Sequence, residues 1–119
     1  PQGGIEKDED ALTAAYRELE EETSITRGNL ELLAISKNWL KYDLPIDLVP
    51  KLWHGLFRGQ TQKWFLMKFT GKDGDINLQT KTPEFSSWRW SSKKQLVSSI
   101  VPFKKKLYED ILNEFTTFL

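Results

Sequence analysis

The chain has 119 residues, 39% of them apolar and 29% charged, with 17 basic against 17 acidic side chains. That is the length and composition of one ordinary globular domain, without room for a second core. Zero formal net charge argues against a protein that coats long stretches of nucleic acid, though not against one that binds a single RNA end. Cysteine is absent, which excludes disulfides and thiolate metal sites and suits a reducing cytosol. No apolar run approaches the roughly 20 residues that span a bilayer, and no basic-then-apolar leader is in view. The expected location is cytoplasmic, with no membrane partner.

Residues 1–9 read as a Gly-rich, acidic loop. The opening Pro1-Gln2-Gly3-Gly4, without an initiator Met, reads as a chain entered partway through a domain. A helix is expected from about Asp10 to Thr23, capped by Asp8 or Asp10. Leu12, Ala15, Tyr16 and Leu19 fall at i, i+3, i+4 and i+7 and predict one buried stripe. Leu30 to Ile35 reads as a strand, and Trp39 to Tyr42 as a short second one. Pro45 to Gly59 is expected to be irregular. Lys63 to Phe69 is nearly all apolar or aromatic and is predicted to be a central strand. Lys72-Asp73-Gly74 marks a turn into a strand over Asp75–Gln79. Trp88-Arg89-Trp90 alternates as a strand does. Ser91-Ser92 is placed to cap a short helix over Lys93–Ser99. Pro102 starts a C-terminal helix with Leu107, Ile111, Leu112, Phe115 and Phe118 as its apolar stripe. Helix, strands, then helix imply a mixed sheet with helices packed on it.

The polar side of the first helix carries the chemistry. Glu18, Glu21 and Glu22 stand at i, i+3 and i+4, so their carboxylates share a face. Such like charges oppose one another by roughly 0.2–0.5 kcal/mol per pair. A hard divalent cation removes that repulsion, and carboxylate oxygens suit Mg²⁺ or Mn²⁺. Glu18 and Glu22 are spaced to grip one ion, with Glu21 left for a second ion or a water. Arg17, one turn before Glu21, is placed to orient it. Taken alone, three glutamates also describe a solvated acidic face.

The surrounding spacing decides between these readings. Gly3, Glu9, Arg17-Glu18-Leu19, Glu21-Glu22, Ser24 and Ile25 resemble the signature of the Nudix family at eight of nine fixed positions. Average residue usage makes so many chance matches rarer than about one in 10⁸. The departure is Ser24, where the family has Gly. That position ends the helix, and Ser in a left-handed conformation there costs about 1 kcal/mol. The resemblance implies a Nudix α/β/α sandwich with a mixed β-sheet over residues 1–119. It also implies that the N-terminal strands of that fold are not in this sequence, leaving an unpaired sheet edge. Glu18 and Glu22 are then implied to ligate the metal, Glu21 to ligate or to orient water, and the Gly3 carbonyl to complete the set.

Further segments narrow the likeness. Asn38-Trp39-Leu40-Lys41-Tyr42, the run from Gly59 to Phe65, Pro83-Glu84-Phe85 with Trp88-Arg89-Trp90, and Phe103-Lys104 look like bacterial RNA pyrophosphohydrolases. The close relatives of that group include the plant-type diadenosine polyphosphate hydrolases. The resemblance implies Glu84 as a further metal ligand or catalytic base, and Phe103 as a ring that stacks on a nucleotide, with Lys104 beside it. Lys63 and Tyr42 are candidates for reaching the polyphosphate, and Arg58 and Lys41 weaker ones. Trp64, Trp88 and Trp90 are expected in the core, and His54 is expected to be incidental. The function implied is a Mg²⁺-dependent RNA 5′-pyrophosphohydrolase acting on 5′-triphosphorylated RNA. The alternatives are a dinucleoside polyphosphate hydrolase using the same site, and a non-catalytic metal- or nucleotide-binding module. The oligomeric state is left open.

Overall fold

The computed structural model describes residues 1–43 and 59–119. His54, Arg58 and most of the segment expected to be irregular lie outside them, as does the side chain of Tyr42. The chain divides into two compact units, residues 1–34 with 65–90 and residues 35–64 with 91–119. No helix among the described residues is long and apolar enough to cross a membrane.

In the first unit, α1 runs from Ala11 to Thr23. Of the two candidate caps, Asp10 is the one used: it is extended, and its carboxylate accepts from Thr13 N at 2.7 Å. Asp8 instead takes a left-handed turn at φ 64°. The helix ends at Ser24, whose φ of 67° is the left-handed conformation expected of a helix terminus that usually carries Gly. The stripe of Leu12, Ala15, Tyr16 and Leu19 is only half-buried; the buried positions of α1 are Ala14 and Glu22. β1 (Leu30–Ile35) forms as expected and pairs with β4 (Phe65–Phe69).

Two expected strands do not form. The turn at residues 73–75 closes with Lys72 N donating to an Asp75 carboxylate oxygen at 2.9 Å. The chain after it has no ladder, because its backbone groups bond elsewhere: Asn77 N donates to Thr23 O at 2.9 Å, and Gln79 N to Asn77 Oδ1 at 2.9 Å. Trp88–Trp90 is likewise irregular. Its rings are not core, with Trp90 61% and Trp88 39% exposed. Local contacts hold them: Trp90 stacks on Phe69, meets Trp88 edge-on, and donates Nε1 to Asp73.

In the second unit, the predicted run from Lys63 to Phe69 is divided. β3 (Gly59–Gln62) precedes it and pairs antiparallel with β2 (Leu40–Asp43), setting Leu40 opposite Gln62 and Asp43 opposite Gly59. Trp64 turns its backbone to Ser36 instead, donating to the buried Ser36 hydroxyl at 3.0 Å. Among the described residues, then, both sheets are two-stranded.

α2 (Lys93–Ser99) is capped reciprocally by Ser92 and Gln95. Pro102 opens a single 3₁₀ turn before α3 (Lys105–Glu114). Leu107, Ile111 and Phe115 bury the expected stripe, and Leu40, Trp64, Phe103 and Tyr108 pack on Leu107. Phe118, expected in that stripe, is 52% exposed, because a 3₁₀ turn over Thr116–Phe118 breaks the helical period.

Candidate metal centre

The loop before α1 is organised by one guanidinium. Arg17 donates Nε and Nη2 to the two carboxylate oxygens of Glu9, at 2.8 and 3.0 Å. Nη2 also donates to the Gly4 carbonyl at 2.8 Å. Nη1 reaches Glu18 at 2.9 Å and Glu21 at 3.2 Å. The loop closes on itself, with Glu6 N donating to Glu9 Oε1 at 3.0 Å. A paired, forked contact of this kind is the strong form of a carboxylate bond. It holds the Glu9 carboxyl below its ordinary range, with Arg17 the largest cause, and raises the already high Arg17. Helical spacing pairs Arg17 with Glu21. The structure keeps that contact but makes Glu9 the principal partner, a pairing with no helical period because the Asp10 cap separates the two.

The three helix glutamates separate by environment. Glu21 is 55% exposed at its side chain, Glu18 is 18%, and Glu22 as a whole residue is 3% exposed. A solvated acidic face would not bury one of its members. Burial is the main reason the Glu22 carboxyl is pushed up to about 7. The Glu84 carboxylate is the second cause, standing within hydrogen-bonding reach of Glu22. Glu22 Oε2 is sealed from solvent without a hydrogen-bond donor. Glu84 itself lies on an exposed stretch of chain, so the Glu22–Glu84 pair has one buried and one accessible partner.

Gly3 completes the arrangement. A Cβ at this position would overlap the Glu18 carboxylate, so the loop lies directly against the mobile end of that side chain and a larger residue would push the carboxylate aside. No three acidic or histidine side chains among the described residues converge in ligating geometry. Arg17 holds Glu18, and Glu21 is turned to solvent. The donor set nevertheless fits a hard divalent cation: an orphaned buried carboxylate oxygen, a second carboxylate beside it, and a glycine cradle at a third.

The remaining candidates lie in the second unit. Phe103 is half-buried against Leu107, and Lys104 Nζ stands 6.0 Å from the centre of its ring. Lys63 Nζ meets the Lys37 carbonyl at 3.5 Å. Tyr42 lies in β2, with its backbone opposite Gln60.

A model of the NUDIX domain matches residues 1–111. The chain belongs to the Nudix family. It is 56% identical to a protein of Roseobacter denitrificans named RNA pyrophosphohydrolase, over all 119 residues and 74% of that relative. Proteins of the same name from Dinoroseobacter shibae and Rickettsia canadensis are 53% and 50% identical over the whole chain, covering 74% and 73% of their lengths. As a Nudix hydrolase the protein cuts pyrophosphate bonds, and enzymes of this kind depend on a divalent metal ion. The mixture of helices and small sheets is consistent with the Nudix fold.

Proposed function

We propose that this Nudix hydrolase removes pyrophosphate from the 5′-triphosphate end of RNA, using Mg²⁺ held by Glu18, Glu22, Glu84 and the Gly3 carbonyl. The observation that carries the metal assignment is Glu22, which is buried beside Glu84 with an oxygen that no donor satisfies. The names of the relatives support RNA as the substrate. A bound divalent ion would supply positive charge to the polyphosphate oxygens and favour ionisation of a nearby water. The chain's own residues do the rest. Arg17 fixes Glu18 and Glu21 in place and ties the Gly-rich loop to α1. Water oxygen bonds to phosphorus, the anhydride P–O bond breaks, pyrophosphate leaves and a 5′-monophosphate remains. The proton lost by that water goes to Glu84, whose exposed position lets it pass on to solvent. Glu21, exposed on the same helix face, is the second acceptor within the set.

One observation favours a second reading. Phe103 is half-buried against Leu107 with Lys104 near its ring, so it is committed in part to packing. A dinucleoside polyphosphate hydrolase using the same carboxylates would not require that ring to stack on an RNA base. The two readings are separated by assaying one preparation with Mg²⁺ on triphosphorylated RNA and on diadenosine tetraphosphate. The RNA reading expects the higher kcat/KM on RNA, and the reverse order replaces it with the second reading.

A further inference from the structure

Ser24 occupies the position where the Nudix pattern has glycine, and its φ of 67° is a conformation that disfavours any residue with a Cβ. Its hydroxyl is used: Oγ donates to the Asn77 carbonyl at 2.8 Å. Asn77 N donates in return to the Thr23 carbonyl at 2.9 Å. Two bonds of opposite direction therefore join the last turn of α1 to a single residue of the loop that follows β4. Ser24 N closes the helix on Glu20 O at 2.8 Å, so the clamp is anchored to a finished helix end.

The clamped segment leads to Glu84. Past Asn77, its side chain accepts from Gln79 N at 2.9 Å, and the Thr80 hydroxyl is sealed from solvent. The chain then surfaces and carries Glu84 back to the buried Glu22, two residues before Ser24. Without a strand ladder in this stretch, the bonds at Asn77 fix where the segment starts. We propose that Ser24 is a positioning residue whose hydroxyl pins the Asn77 segment to the end of α1 and so sets Glu84 against Glu22. Glycine at this position would relax the backbone and keep the bond to Glu20 but lose the side-chain bond to Asn77.

This inference rests on the reading of Glu22 and Glu84 as the metal site, and its test separates the two. Ser24→Gly, Glu84→Gln and the double variant are compared by kcat and KM on triphosphorylated RNA with Mg²⁺, and by Tm. Ser24→Gly should melt close to the parent, because the relieved backbone offsets the lost bond. It should lower kcat by roughly three- to tenfold, the worth of one such hydrogen bond, with KM little changed. That loss should vanish in the Glu84→Gln background, since a residue that acts through Glu84 has nothing left to position. Parental kcat in Ser24→Gly, or an equal loss in both backgrounds, overturns the positioning role. Parental kcat in Glu84→Gln alone overturns the metal-site reading, and this inference with it.

Discussion

Helices α1 and α3 are written in the same periodic language and spend their burial differently. α3 buries Leu107 and Ile111, and its C-terminal cap buries Phe115, each at 5% exposure or less, on the stripe its sequence announces. α1 leaves its apolar stripe half-buried and seals an ionisable residue, Glu22, at 3%. Apolar burial of this kind stabilises by roughly 1.5–3 kcal/mol per large side chain. A carboxylate burial opposes folding unless something neutralises it. The first helix therefore carries a cost that only a bound cation or a proton removes, and the second carries stability. This is the pattern expected where chemistry has been placed on one element and packing on another.

The largest contrast comes from changing one residue on each helix. Glu22→Gln should lower hydrolysis of triphosphorylated RNA by roughly 100-fold or more, the scale for removing a charged group that acts in the transition state. The same change should leave the metal-free fold at least as stable at pH 7.5, because it deletes a buried like-charge partner of Glu84. Leu107→Ala should do the opposite. It should cost about 2–5 kcal/mol in unfolding free energy, read by urea denaturation, while the folded fraction keeps its kcat. Near-parental turnover by a folded Glu22→Gln protein would sink the metal assignment. A Leu107→Ala protein of parental stability would mean that α3 is not the centre of its unit.

The boundaries of α1 and α2 were legible because their signals are local: Asp10 and Ser92 cap within one turn, and Ser24 occupies a left-handed terminus. The missed strands were decided by partners distant in sequence. Residues 75–79 alternate well enough, but their backbone bonds go to the end of α1. The tryptophans at 88 and 90 have the composition of core, yet their partners are Phe69, Asp73 and each other. At the site, the shared face of Glu18, Glu21 and Glu22 follows from helical spacing, but which of them is buried does not. Periodicity placed Glu22 on the polar side, and the structure buries it beside Glu84. That pairing crosses most of the first unit's sequence and was visible only through the family resemblance. The same holds for Glu9, whose fixed place in the signature was the only hint of its bond to Arg17.

Removing and adding the ion sharpens the comparison further. In the metal-free protein the Glu22 carboxyl sits at about 7 against an ordinary 4.5, so the folded state binds its proton more tightly than the unfolded state does. Stability should then fall as pH rises from 4.5 to 7 and stay at the lower level above it. Glu9 and Asp10 are shifted the other way, by Arg17 and by the Thr13 amide, and their contributions are lost only below their ordinary 4.5 and 3.8. A scan between pH 5 and 7.5 therefore separates Glu22 from Glu9 and Asp10, and repeating it on Glu22→Gln removes any contribution from the single histidine. With EDTA, Tm should be higher at pH 5 than at pH 7.5. Millimolar Mg²⁺ or Mn²⁺ should raise Tm, and more so at pH 7.5, where no proton competes for the site. Melting that responds neither to pH in this window nor to divalent ions would leave the acidic face without a ligand.

The smallest expected effect tests whether the second unit contributes to substrate choice or only to packing. An RNA substrate must be recognised through at least one base, since phosphates carry no identity. Phe103 has the ring for it, and base stacking on an aromatic is worth about 1–3 kcal/mol. Its contact with Leu107 gives it a packing role as well, so Phe103→Ala should lower Tm. Activity must therefore be compared between substrates at a temperature where the variant is folded, because lost packing reduces all of them alike. Phe103→Ala should lower kcat/KM on triphosphorylated RNA by roughly tenfold. A nucleoside triphosphate, which has no second base to stack, should be affected much less, and diadenosine tetraphosphate should fall between. Retaining Phe103 and replacing Lys104 with Ala should lower RNA cleavage less than Phe103→Ala does, since a single ammonium near solvent adds less than a stacked ring. Equal losses on all three substrates in Phe103→Ala would assign the ring to the Leu107 cluster alone, and discrimination between RNA and dinucleotides would then have to come from elsewhere on the chain.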